Sequence, residues 1–357
     1  MNKLKTMSSA TRTNFLTYLG VILAFAILQP LSMSGKLSPT LQGQLIPVCA
    51  YVVMALSLNL TVGVLGELSL GHAGFMSVGA FSGVVAASAL QDAIPSDGLR
   101  LLAALVIGAV FAGIVGLLIS VPVLRLNGDY LAIVTLAFGQ IIKSIVENLY
   151  VGADPKGLHA SFLQPTVTLG EGGKMILNGP MGIPNITKIS TFLAGFLLIL
   201  VTLMVIFNLV NSRSGRAIMA IRDNRIAAES VGLNITKYKM MAFVTSAALA
   251  GAAGALYGLG QNTIVASKFD FNTSILILVY VVLGGQGKMW GSIIAAAFLT
   301  ILPETPAMRG LADYRMLVYA IVLILVMLAT NNSVIKSFFS RFRKEKGDDT
   351  AKGGEAA

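Results

Sequence analysis

From Ile189 to Val210 the chain runs for twenty-two residues without a charge, and from Met240 to Ser267 for twenty-eight more. A helix needs roughly 20 apolar residues to cross a bilayer. Hydrocarbon offers no hydrogen bonds, so a segment held in it must satisfy its own backbone, and these runs are therefore helices. Further runs of comparable length lie at 15–32, 44–65, 68–91 (interrupted only by His72), 101–124, 271–287 and 316–335. Two are weaker. Residues 130–142 are followed closely by Lys143 and Glu147, and 289–303 is only fifteen positions long. With both counted, ten spans are expected. Composition agrees: 12% of residues are charged, against about 25% in soluble domains, and mean hydropathy is +0.79. The expected fold is an all-α membrane protein.

Cytoplasmic loops collect Lys and Arg. With ten spans and the N-terminus inside, seventeen of the 26 cations fall inside, eight fall outside, and Lys143 lies within a span. Both termini are therefore expected in the cytoplasm. The expected organisation is a cytoplasmic N-terminus at 1–14, a transmembrane domain at 15–335 and a charged cytoplasmic tail at 336–357. Within the domain, 150–188 is an external loop and 211–239 a cytoplasmic one. A re-entrant hairpin at 289–303 would place the basic RFRK stretch outside, so that run is read as a span. The basic start of the chain resembles a signal peptide but lacks a small-x-small cleavage site, which predicts a retained first helix. The net charge of +10 sits at membrane-facing ends, where it fixes topology and meets anionic lipid. It does not indicate nucleic acid.

The chemistry of the sequence is mostly negative. The histidines are His72 and His159 and the cysteine is Cys49, too few for a metal cluster or a disulfide framework. No G-x-x-x-x-G-K-[S/T] loop occurs to cradle a phosphate, and GELSLG has the wrong spacing for a nucleophile elbow. No catalytic, cofactor-binding or metal-binding residue is expected.

Small residues cluster within the spans: Gly79 and Gly83, and Gly254 and Gly258 with Ala247 and Ala250. They let helix backbones approach closely, a packing role compatible with a moving seam along a passage. The stretch GELSLGHAGFMSVGAF gathers glycines around Glu67, Ser69 and His72. One reading is a broken helix beside a wet cavity, which makes Glu67, Ser69, His72 and Gly74 a candidate translocation pathway. The other is a capped helix start with a satisfied histidine. Both stay open at this point.

One loop does not match its greasy surroundings. Residues 211–239 hold Arg213, Arg216, Arg222, Arg225, Lys237 and Lys239 against Asp223 and Glu229. Ala217, Ile221 and Ala228 share one side of a helix, with Arg222, Arg225 and Glu229 largely elsewhere, so the segment reads as a short helix on the cytoplasmic surface. It could rest on lipid, but a stripe of alanines with one isoleucine grips lipid poorly. It suits a protein groove.

Ile226-Ala227-Ala228-x-x-x-Gly232 is similar to E-A-A-x-x-x-G, the loop by which importer permeases dock onto their ATPases, with Ile226 in place of the glutamate. LSLNLTVGVLGELSLGHAGFMSVGAF (56–81), LRLNGDYLAIVTLAFGQIIKSIVENL (124–149), SRSGRAIMAIRDNRIAAESVGL (212–233), AFVTSAALAGAAGALYG (242–258) and VLGGQGKMWGSIIAAAFLTILPE (282–304) extend the likeness in the same order. The chain resembles the larger permease of the branched-chain amino acid family of ABC importers. Where many members carry T-G-G-x-x-G after the fifth span, this chain reads VGADPKGL (151–158). The resemblance implies a subunit that makes and breaks no bond itself. It also implies two cytoplasmic ABC ATPase subunits, a second homologous permease, and an extracytoplasmic solute-binding protein that lands on 150–188. It sets the protein in a bacterial or archaeal cell membrane. Arg213, Gly215, Arg216, Arg222, Asp223, Arg225, Ala227, Ala228 and Gly232 become the candidate ATPase-coupling residues. The implied solute is leucine, isoleucine or valine, with urea or a short amide as the alternative. A stand-alone secondary transporter would need ionisable residues deep in several spans, and few occur. A membrane enzyme would need a catalytic constellation that the sequence does not contain.

Overall fold

The computed structural model describes residues 9–302, apart from 36–37, 92, 125, 127, 155–156 and 163–173; beyond 302 it describes only 317, 321 and 324. The first helices are α1 (Ser9–Met33), α2 (Pro39–Asn59), α3 (His72–Ala89), α4 (Asp97–Val123) and α5 (Asp129–Glu147). Three short strands come next: β1 (Leu149–Asp154), β2 (Gly157–Phe162) and β3 (Lys174–Asn178). The chain continues through α6 (Phe192–Asn211), α7 (Arg213–Asp223), α8 (Arg225–Ser230), α9 (Ile235–Gly258), α10 (Phe271–Gly284) and α11 (Met289–Ile301).

Eight of these helical segments are long and apolar enough to cross a membrane. Their outward faces are apolar as well: Leu102, Val106, Val110, Phe111 and Leu118 on α4, and Leu193, Leu197, Val201 and Met204 on α6, are exposed. In water such faces would be aggregation sites; in lipid they face their own solvent. The weak run at 130–142 becomes the 19-residue α5. Its two charges pair with each other, Lys143 Nζ lying 3.7 Å from a Glu147 carboxylate oxygen. The run at 289–303 yields a 13-residue helix, shorter than the roughly 20 residues of a full crossing. The expected span at 316–335 lies outside the described residues, save for isolated helical positions.

α2 occupies the middle and α1 the edge: 89% of the best window in α2 and its extension is buried, against 11% in α1. On α9, which itself packs against α2, the helices α3 and α4 pack through small residues. A Cβ at Gly79 would overlap the backbone of Gly251, one at Gly254 would overlap the carbonyl of Met76, and one at Gly116 would press on Ala247. The glycines noted in the sequence therefore line the α3–α9 seam, Gly79 against Gly251, Gly83 against Ala255 and Gly254 against Met76 and Ala80, where backbone contact replaces side-chain interdigitation.

The described residues are mostly helical, and their three strands lie in and beside the segment 150–188. There β1 pairs antiparallel with β2 and with β3, giving the order β2-β1-β3, with a register irregularity between Val151 and Gly152. The stretch after β3 is stitched to the loop after α9. Ile183 N–H donates to Ile264 O at 2.9 Å, and Ile186 N–H to Asn262 O at 2.9 Å. Sheet and loop thus form one cap, at the end of the bundle opposite α7 and α8. The alternating pattern that marks strands is too short here to stand out beside runs of helix.

The seam makes a direct prediction. Gly254→Leu should lower the melting temperature of the detergent-solubilised protein, since overpacking costs about 1–3 kcal/mol. Gly98→Ala, with no atom within 4 Å of its added methyl, should leave it unchanged.

Candidate functional site

α7 begins in a tight turn out of α6. Ser212 Oγ accepts from Gly215 N–H at 3.1 Å and donates to Leu209 O at 2.6 Å, a side-chain cap of the kind that satisfies a helix start. Gly215 is buried, and a Cβ there would strike the carbonyls of Leu209 and Val210. Arg213 and Arg216 are exposed, and Arg216 Nη1 donates to Asn211 O at 3.2 Å.

The expected single helix is two. Asn224 is extended (φ −155°, ψ 105°), ends α7, and caps α8 by accepting from Ala227 N–H at 3.0 Å. A short amide competes with the helical backbone in this way. α8 closes at Gly232, whose φ is +82°. Gly232 N–H donates to Glu229 O at 3.0 Å and Leu233 N–H to Ala228 O at 3.1 Å, the paired closure that favours glycine.

The small-residue stripe does not face outward. Ala217, Ile218, Ile221 and Ala228 are buried, and Ile221, Ala228 and Ile235 form one cluster with Leu233 and Tyr238. A partner's groove cannot receive a stripe that already packs on this chain. The exposed surface carries Arg222, Asp223, Arg225, Ala227, Glu229 and Gly232, together with two large aliphatics, Ile226 at 81% and Val231 at 75% exposure. Val231 was not singled out in the sequence, and Ile226 only as the residue in place of the motif glutamate, because both lie off the periodic stripe. That displacement was itself the available signal.

Arg222 reaches inward. Its Nη1 donates to Gly63 O at 3.1 Å, while Nε and Nη2 hold Asp223 Oδ1 at 3.0 and 2.9 Å. Gly63 belongs to Leu60–Leu65, a π-helical extension of α2. Carbonyls in the last turn of a helix lack intrahelical donors, and a cation there also meets the negative end of the helix dipole. Beside it, the Arg222 stem presses on Gly66, which has φ +80°. Next in the chain, Glu67 forms an ion pair with Lys239 of α9.

The four residues of the expected pathway therefore separate. Glu67 sits at the α7 end of the bundle, in its ion pair. Ser69, His72 and Gly74 come together deeper, where an irregular stretch leads into α3. His72 is buried, its Nε2 2.8 Å from Ser57 Oγ. Ser69 is buried, and its Oγ has no partner among the described residues. Gly74 packs on Gly139 of α5. α3 is capped by other helices rather than by its own side chains: Leu70 N–H donates to Thr135 Oγ1 at 3.0 Å, and Ala73 N–H to Ser274 Oγ at 3.2 Å. Ser246 Oγ donates to Ser57 O at 2.5 Å. Ser57, Thr135, Ser246 and Ser274 thus build a polar layer that no sequence motif marked. Ser57 lies eight residues before the end of the α2 extension at Leu65, roughly 12 Å at 1.5 Å per residue. The layer is well inside the bundle. Among the described residues, no group of three or more His, Cys, Asp or Glu side chains could hold a metal ion.

Residues 42–327 match the family model described as the permease component of the branched-chain amino acid transport system. The chain belongs to this family. The high-affinity branched-chain amino acid transport system permease protein LivM of Escherichia coli K12 is 34% identical over 317 residues, covering 86% of this chain and 72% of that protein. Its counterpart in Salmonella typhimurium is 33% identical over the same length. More distant is the fructose import permease protein FruG of Bifidobacterium longum, 28% identical over 73% of this chain and 75% of that protein. No solved structure matches. The family region takes in the α7–α8 surface, the α2 extension and the polar layer, and leaves out α1, the least buried helix. A permease of this family is a multi-pass membrane transporter subunit rather than an enzyme.

Glu67 and Lys239 hold their charges where little water reaches, so breaking the pair by removing one partner should cost about 3–5 kcal/mol. Glu67→Gln and Lys239→Met should each lower the melting temperature, and the double variant should recover part of that loss. Additive losses would show that the two side chains act independently.

Proposed function

We propose that this permease is the solute-conducting subunit of an ATP-driven importer of leucine, isoleucine and valine in a bacterial cell membrane. The observation that carries the substrate is the likeness to proteins named for branched-chain amino acid transport, which spans most of both chains. In this reading the protein crosses the membrane ten times with both termini in the cytoplasm, and α7 and α8 lie on the cytoplasmic face. Two ABC ATPase subunits serve the importer, one docking on this chain and one on a second, homologous permease. A solute-binding protein outside lands on the cap built from 150–188.

The docking surface is the exposed side of α7–α8. Ile226, Ala227 and Val231 supply an apolar knob. Arg213, Arg216, Arg222, Asp223 and Arg225 supply a charged rim that sets partner and orientation. Gly215, Ala228 and Gly232 shape the knob from beneath, through the tight turn, the inward packing and the left-handed closure. An apolar centre ringed by polar groups is the common anatomy of protein interfaces. Nucleotide-driven closure of the ATPases displaces this surface and rocks the bundle between outward-open and inward-open states. Shifting such an equilibrium from 1:99 to 99:1 takes about 5.5 kcal/mol of differential interaction, which a small solute cannot readily supply alone. The solute passes beside the polar layer at Ser69, His72 and Gly74.

The test is uptake into sealed vesicles holding both permeases and the ATPases, with the binding protein outside. Uptake of branched-chain amino acids should require internal ATP; accumulation without it would refute an ATP-driven importer. Ile226→Asp and Val231→Asp should each reduce ATPase co-purification by about tenfold, the scale of losing one buried apolar anchor. The melting temperature should not change, because both side chains are exposed. Undiminished co-purification would place the docking surface elsewhere.

A further inference from the structure

We infer that Asn59 is a positioning residue that carries motion of the α7 surface to the turn between α10 and α11, and from there to the start of α3. The inference rests on α7–α8 being the ATPase-coupling surface.

Asn59 is fully buried and is the last residue of α2 before its π-helical extension. Both ends of its amide are committed to a distant part of the chain. Oδ1 accepts from Gly287 N–H at 2.8 Å, and Nδ2 donates to Ser292 Oγ at 2.9 Å. A buried amide that loses such partners is left unsatisfied, at a cost of about 1–3 kcal/mol. The α10–α11 turn is therefore obliged to follow Asn59 when this part of α2 moves.

Gly63, four residues on, is gripped from two sides. Its carbonyl takes the Arg222 guanidinium, and its Cα faces the turn so closely that a Cβ would overlap both Asn59 Oδ1 and the Gly287 backbone. One short segment thus joins α7 to the α10–α11 turn. Its geometry is π-helical. π-helical turns are rare and concentrate at functional sites. Relaxing one to α geometry shifts the downstream residues by about one position, or about 100° around the axis at 3.6 residues per turn.

The connection continues beyond the turn. Gly284 and Gly291 are in backbone contact, which holds α10 and α11 together as a hairpin. Near the other end of α10, Ser274 Oγ caps Ala73 N–H at 3.2 Å. Ala73 is the neighbour of His72, in the polar layer. The path therefore runs from Arg222 to Gly63, Asn59, Gly287 and Ser292, then along α10 to Ser274 and the first turn of α3. No solute contact is assigned to Asn59; it acts through the elements it holds.

The test uses the whole importer in vesicles, with Cys49→Ser as background and a spin label on α7 at the exposed Ala220→Cys, outside the docking rim, or at Lys288→Cys. Adding a non-hydrolysable ATP analogue should change the signal at both positions. Asn59→Leu should leave ATPase co-purification and the response at 220 intact. It should abolish the response at 288 and cut solute moved per ATP hydrolysed by about tenfold, as expected for lost buried hydrogen bonds. Transport per ATP within twofold of the parent, or an intact response at 288, would overturn the relay. Should Asn59→Leu fail to assemble, Ser292→Ala removes one of the two bonds and should give a partial loss of transport per ATP; an unchanged ratio overturns the relay as well. Failure of the docking assignment looks different, since the parent would then show no nucleotide response at 220.

Discussion

Hydrocarbon supplies no hydrogen bonds, and that one property of the solvent decides what this chain can do away from a regular helix. Wherever the backbone leaves helical geometry inside the bundle, some other group must take up the freed N–H and C=O. The irregular stretch from Gly66 to Gly71 and the first turn of α3 are possible because Thr135 and Ser274 reach across from α5 and α10 to the amides of Leu70 and Ala73. The turn from Gly285 to Gly287 is possible because Asn59 accepts the Gly287 N–H. The open end of α2 is possible because Arg222 donates to Gly63 O. Each break in regular structure is thus also a joint between elements far apart in sequence, created by the same requirement.

This explains which parts of the fold can be read from sequence and which cannot. α6 and α9 follow from their uncharged runs, because the signal for a span is local and summed over many residues. α5 needed only the recognition that Lys143 and Glu147, one turn apart, neutralise each other. The polar layer carries no such local signal. Ser57, Thr135, Ser246 and Ser274 look neutral inside apolar runs, and their partners stand 15 to 201 positions away. The π-helical extension of α2 is equally silent, since LTVGVL is ordinary helix sequence and only the contacts of Asn59 and Gly63 give it purpose.

The α7–α8 surface shows a subtler failure. Periodicity identified Ala217, Ile221 and Ala228 as one face, and they are one face, but the inference that a partner covers it reversed inside and outside. A stripe of small residues is what a helix needs to lie close on its own bundle. The side left over is the one exposed. Its arginines stand out by charge, while Val231 carries no signal in the pattern and Ile226 stands out only as the residue in the place of a motif glutamate.

Arg222 belongs to the α7 surface and to the core at once. A lysine could supply the positive charge at that surface. It could not hold Asp223 through two guanidinium nitrogens while a third caps Gly63, because it offers a single nitrogen where the fork of arginine offers three in fixed geometry. The residue that faces the solvent on α7 is therefore the same residue that closes the end of the most buried helix. Any displacement of the surface must either carry that helix end with it or break a hydrogen bond to do so. A cation on a loop would ordinarily be free to move alone; here its geometry ties the surface to the core.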